Sequence, residues 1–137
     1  MAYVVRGTKD VENFPVEKCH GGEGTIFVKQ LLGYEPQLPV PGNPDDFDSL
    51  INFMHETTLP AGTTIGRHPQ IGNEEIYYVI EGRGEMKVDE DTFVMEAGTA
   101  CLTKSGSYHQ FRNIGDKDLR IIVIEAVFDK ANKNHKK

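Results

Sequence analysis

Two stretches decide the fold: GTTIGRHPQIGNEEIYYVIEG, from Gly62 to Gly82, and GTACLTKSGSYHQFRN, from Gly98 to Asn113. Each opens on a glycine, carries one histidine, and is rich in β-branched and aromatic residues. Among their side chains are the two imidazoles of His68 and His109, the carboxylate of Glu75 and the amide of Gln70. Imidazole nitrogen suits zinc, iron, nickel and copper, whereas oxygen donors suit manganese and iron. Donors of these types predict a β scaffold that gathers all four around one divalent first-row metal ion.

Working outward, short β-branched and aromatic runs recur between Gly, Pro, Asp and Asn, the pattern of an all-β sandwich or barrel. Strands are expected at residues 2–6 (an edge strand), 24–32, 49–59, 75–81, 99–104, 108–113 and 119–128. Met86, Val88, Phe93 and Met95 bracket Asp89-Glu90-Asp91 and predict a hairpin. Residues 35–48 hold four of the seven prolines. Proline lacks the amide donor that a sheet interior needs, so this segment reads as a long loop: a surface connection, or a lid or dimer contact. The near-continuous apolar run 119–128 implies burial on both faces or at a dimer interface. Residues 129–137 read as a polar tail, His135 included.

The 137 residues fit one domain, 1–137. A net charge of −6 argues against nucleic acid, which needs a basic face. No apolar run approaches the roughly 20 residues that span a bilayer, and the N-terminus lacks a signal-peptide core. A cytoplasmic location is therefore expected, with Cys19 and Cys101 as free thiols. No Ser-His-Asp or Cys-His constellation stands out, and no G-x-x-x-x-G-K phosphate loop occurs.

The spacing resembles that of the cupin superfamily. Its first motif is Gly, five residues, H-x-H, three or four residues, Glu, six residues, Gly. Here Gly62, His68, Glu75 and Gly82 fall in register, with Gln70 in place of the second histidine. Its second motif is Gly, five residues, P-x-G, two residues, His, three residues, Asn. Gly98, Gly106, His109 and Asn113 match, and Lys104 replaces the proline. The resemblance implies a double-stranded β-helix (a small jelly-roll-like barrel), a metal held by His68, Gln70, Glu75 and His109, and a homodimer. Two His, one Glu and one Gln is also the ligand composition of a zinc-dependent sugar-phosphate isomerase branch of that superfamily, in a different chain order.

Side-chain alternation carries the chemistry further. His68 and Gln70 share one face of a strand. Glu75 shares a face with Tyr77 and Val79, and His109 with Phe111 and Asn113. If these faces point inward, four donors converge, with Tyr77 and Phe111 as pocket walls. Glu74 is the alternative carboxylate, but alternation with Tyr77 favours Glu75. A buried carboxylate without a partner costs several kcal/mol, and a cation removes that cost.

Tyr77 or His55 would be the proton-transfer group. His55 reads equally as a satisfied core histidine, His20 as a turn residue, and Cys101 as packing. Arg67 and Lys104 would attract an anion at the mouth or simply be exposed, and Tyr108 should point away from the site.

The metal would be iron, manganese, zinc or nickel, and the partner a small polar molecule. Three functions follow: a metal-dependent isomerase, lyase or dioxygenase; a binding module without turnover; or a metal-free structural barrel.

Overall fold

The computed structural model describes residues 2–130. The chain forms ten strands: β1 (Phe14–Glu17), β2 (Thr25–Gly33), β3 (Ile51–Leu59), β4 (Thr64–Pro69), β5 (Asn73–Glu81), β6 (Arg83–Val88), β7 (Asp91–Glu96), β8 (Ala100–Thr103), β9 (Tyr108–Asn113) and β10 (Leu119–Val127). Every pairing is antiparallel. Six strands make one sheet, in the order β1-β2-β3-β10-β5-β8, and four make the other, β4-β9-β6-β7.

One apolar core joins the two sheets. Ile26, Val28, Phe53, Leu59, Val79, Leu119 and Ile121 come from the larger sheet; Ile65, Met86, Met95 and Phe111 come from the smaller. The all-β jelly-roll-like expectation therefore holds. Alternation is the reason these segments are strands: β3, β5 and β10 bury every second side chain along most of their length, as a sheet with one face on a core requires.

Several expectations need correction. Residues 2–6 form no strand; Tyr3 and Val5 are exposed. The edge strand is β1, paired to β2 from Phe14↔Val28 to Glu17↔Thr25. Pro15 obscured it, although an edge is where a strand tolerates proline. The hairpin turn is Asp89-Glu90 alone, because Asp91 already pairs with Val88; Asp89 takes φ 51° there. β10 is not buried on both faces. It lies at the middle of the large sheet, inward residues buried and outward ones partly exposed. The predicted tail lies outside the described residues from 131 onward.

The proline-rich segment is a loop, as expected, and it is anchored. Asp46 accepts from the Gly33 amide at 2.9 Å and from Arg6 at 2.7 Å, while Asn43 N–H donates to the Gly33 carbonyl at 2.7 Å. Arg6 also donates to the Leu31 carbonyl at 2.7 Å. These ties fold the start of the loop over the space between the sheets, and Glu35 and Val40 are buried there.

Candidate metal centre

β4 and β9 are neighbours, and their register sets His68 opposite His109. β5, in the other sheet, supplies Glu75. Gln70 follows one residue after β4, tied by Gln70 N–H to the Ser107 carbonyl at 2.9 Å and by Gly106 N–H to the Gln70 carbonyl at 2.7 Å. All four side chains are buried, His109 completely.

Their donor atoms crowd together. His109 Nε2 lies 3.0 Å from His68 Nε2, 3.2 Å from Glu75 Oε1 and 3.1 Å from Gln70 Nε2. The far ring nitrogens are held from behind. His68 Nδ1–H donates to the Gly66 carbonyl at 2.7 Å, and His109 Nδ1 lies 2.8 Å from Thr103 Oγ1. A carbonyl only accepts, so His68 carries its proton on Nδ1 and its Nε2 lone pair faces the cluster. Such outer hydrogen bonds fix the tautomer and ring plane of metal-ligating histidines.

Burial lowers the pKa of His68 and His109 to about 4, with repulsion from His109 a second cause for His68. Both imidazoles are thus neutral at pH 7. His109 Nε2 stands 3.0 Å from the His68 Nε2 lone pair, a spacing that an N–H···N hydrogen bond from His109 or a shared cation would satisfy.

Gln70 supports the same reading. Its Oε1 is buried with no partner. Amide oxygen and nitrogen are distinguished by their hydrogen-bond network. Turning the amide over puts the oxygen where the nitrogen stands, 3.1 Å from His109 Nε2 and 3.5 Å from Glu75 Oε1, where a cation would satisfy it. The residues present therefore fit a metal ion. His68, Glu75 and His109 each offer a ligand atom, all within 4.8 Å of one another.

The structure brings further groups to the site. Glu35, from the proline-rich loop, and Glu125, from β10, also bring carboxylate oxygens within 4.8 Å of Glu75 and of each other. Asn52 donates to Glu125 at 3.0 Å. Burial raises the pKa of all three carboxyls, and repulsion between them adds to it for Glu35 and Glu125. Glu125 could have been found by parity: it shares the inward face of β10 with Val123 and Val127. His20 stacks on His68, ring centroids 3.7 Å apart and planes at 13°. Nothing in the sequence pointed to that contact.

Glu35, His20, His68 and Glu75 line a cavity of about 20 Å³, together with Cys19, His55, Thr57 and Tyr77. That volume holds one water or one ion. Tyr77 is buried with its ring 4.9 Å from His109, and Phe111 backs it at 5.5 Å. Burial raises the Tyr77 pKa, so the phenol keeps its proton. His55 is buried, stacked on Phe53, with Nδ1 2.6 Å from Thr57 Oγ1; desolvation lowers its pKa to about 3.

Glu74 is only half-buried and Tyr108 faces outward. Arg67 lies over the Tyr108 ring at 4.9 Å, and Lys104 is exposed; neither lines this cavity. Cys101 packs partly buried against the core.

Comparison with known proteins agrees with this architecture. Residues 55–125 match the model of the cupin domain, and the chain belongs to that family. The sequence is 27% identical over 109 residues to an oxalate-binding protein of Thermotoga maritima, covering 80% of this chain and 82% of that one. A crystal structure of a predicted oxalate decarboxylase from the same organism superposes with a TM-score of 0.80 at 23% identity, covering 91% of this chain and all of that one. The structure of KdgF from a Halomonas species aligns with a TM-score of 0.59 at 15% identity, over 77% of this chain and 82% of that one. Among the described residues no helix is long and apolar enough to cross a membrane.

The raised carboxyls fix a pH dependence for the metal-free protein. Glu75 and Glu125 have folded pKa values raised to about 8, above the unfolded value of about 4.3. Their stabilising share is complete below the unfolded value and is lost as pH rises through the folded one. The buried histidines act oppositely and only below roughly pH 6.5. Chemical denaturation of chelator-treated protein should therefore show stability falling by about 1 kcal/mol or more per unit between roughly pH 7 and pH 8. Glu75→Gln should flatten that slope.

Proposed function

We propose that this protein is a metal-dependent cupin acting on a small polar organic molecule. His68, Glu75 and His109 hold a divalent iron, manganese, zinc or nickel ion, with the Gln70 amide oxygen as fourth donor. The observation that carries the reading is the meeting of two imidazole Nε2 atoms, a Glu75 oxygen and the Gln70 amide at one buried point, with the Gln70 oxygen left without a partner. Bound there, the metal supplies Lewis-acid polarisation of a ligand oxygen.

The chain's own residues do the rest. Tyr77 walls the space, with the Phe111 ring packed behind it. Tyr77 keeps its phenolic proton, and Glu35, with its raised pKa, keeps a carboxyl proton near neutrality; both can hand one to a bound molecule. His55 lines the same cavity as a neutral imidazole, a hydrogen-bond partner for a bound molecule rather than a strong base. Isomerase, lyase and dioxygenase chemistry are all compatible with such a set.

A second reading, binding without turnover, is favoured by one observation. The cavity of about 20 Å³ is smaller than any organic substrate, so only a very compact molecule would enter, after movement of the loop bearing Glu35. The oxalate-binding relative makes oxalate the first compound to try.

Metal titration followed by calorimetry tests the site. The wild type should bind one divalent ion per chain. His109→Ala and Glu75→Gln should weaken it at least about 100-fold, and Gln70→Ala by about tenfold. A wild type that takes up no metal after incubation with iron, manganese, zinc and nickel overturns the reading. Oxalate consumption by the loaded protein then separates enzyme from binder.

We also propose that the protein works as a homodimer. The outward face of the large sheet carries an apolar row in register, Met54–Ile124–Ile76–Leu102, with Ile76 and Leu102 exposed. A two-fold pair would cover this row with its own copy. Light scattering should give twice the chain mass, and Leu102→Glu should give the monomer; a monomeric wild type contradicts the assignment.

A further inference from the structure

The turn from Lys18 to Gly22 has no part in the metal reading so far, yet it is built at a cost. Lys18 (φ 48°, ψ 49°) and His20 (φ 51°, ψ 35°) both sit in the left-handed region. For a residue with a Cβ this costs on the order of 1–2 kcal/mol each. Such outliers persist only where the surroundings enforce them, and they gather at functional sites.

The enforcement is visible. The turn lies flush on β4, with no room for a Cβ on either side. A methyl at Gly22 would meet the Thr64 carbonyl, and one at Gly66 would meet the His20 carbonyl, each at 2.2 Å. Thr64 N–H donates to the Glu23 carbonyl at 3.0 Å, and Glu23 N–H donates to Thr64 Oγ1 at 2.7 Å. The result is the parallel stack of His20 on His68.

His20 differs from the other imidazoles of the cavity. His55, His68 and His109 each have a ring nitrogen engaged by Thr57, Gly66 and Thr103. Among the described residues, neither nitrogen of His20 has a protein partner. It lines the same cavity and, unlike His55, His68 and His109, keeps intermediate solvent exposure.

We propose that His20 is a ligand-contacting residue at the mouth of the metal pocket, presenting its ring N–H to a carbonyl or carboxylate oxygen of the small molecule held there. The stack on His68 sets where that N–H points. This inference rests on the metal reading above.

The test uses full-length protein loaded with cobalt, whose visible spectrum reports its ligands, and oxalate as the probe. Wild type is compared with His20→Phe, which keeps the stack and loses the donor, and with His20→Gly, which loses both and relieves the backbone. Cobalt affinity of the phenylalanine variant should stay within about threefold of wild type, while oxalate binds at least about tenfold more weakly to both variants. The metal-free glycine variant should unfold no earlier than wild type, which separates loss of contact from loss of fold. If both variants bind oxalate as tightly as wild type, or if oxalate leaves the wild-type cobalt spectrum unchanged, the proposal is overturned. Absence of cobalt uptake by wild type is seen before oxalate is added; it overturns the metal reading and this contact with it.

Discussion

The structure depends on how a small β cage tolerates carboxylates inside it. Glu35, Glu75 and Glu125 are all buried and close together, and no lysine or arginine lines their cavity among the described residues. Left ionised and alone, such groups would each cost several kcal/mol. Burial answers in part by holding protons on them. The divalent ion proposed at Glu75 would answer more fully, because it would also satisfy the Gln70 oxygen and draw on the two imidazole Nε2 atoms.

The scaffold makes this arrangement specific. Backbone pairing fixes His68 opposite His109, and the facing sheet brings Glu75 to the same point. Carbonyl and hydroxyl groups behind the rings set the tautomers. The turn at Cys19–Gly21 and the loop after β2 then close two sides of the cavity, one with an imidazole and one with a carboxyl. The candidate ligands His68, Glu75 and His109 thereby sit on strands and Gln70 just after one, while the mouth is built from turns and loops, where functional residues commonly lie.

Much of this was legible in the sequence, for a physical reason. Spaced glycines and strict alternation are local, so parity grouped His68 with Gln70, Glu75 with Tyr77 and His109 with Phe111, and the resemblance of the motif spacing joined the groups into one interior. Asn113 also fitted, and it caps the strand end by donating to the Leu59 and Lys117 carbonyls. The misses lay where long-range contacts decide. Glu35 enters the cavity only because Arg6 and Asp46 tether a proline-rich loop. His20 reaches His68 only because two glycines let the backbones touch. β1 was masked by Pro15, and residues 2–6 had β propensity but no partner strand.

The most direct measurement is anomalous diffraction from crystals grown with manganese or zinc. A single ion bonded to His68 Nε2, His109 Nε2, a Glu75 oxygen and the Gln70 amide oxygen is the predicted result. An ion bound elsewhere, or a cavity without one and either imidazole turned outward, would contradict the account.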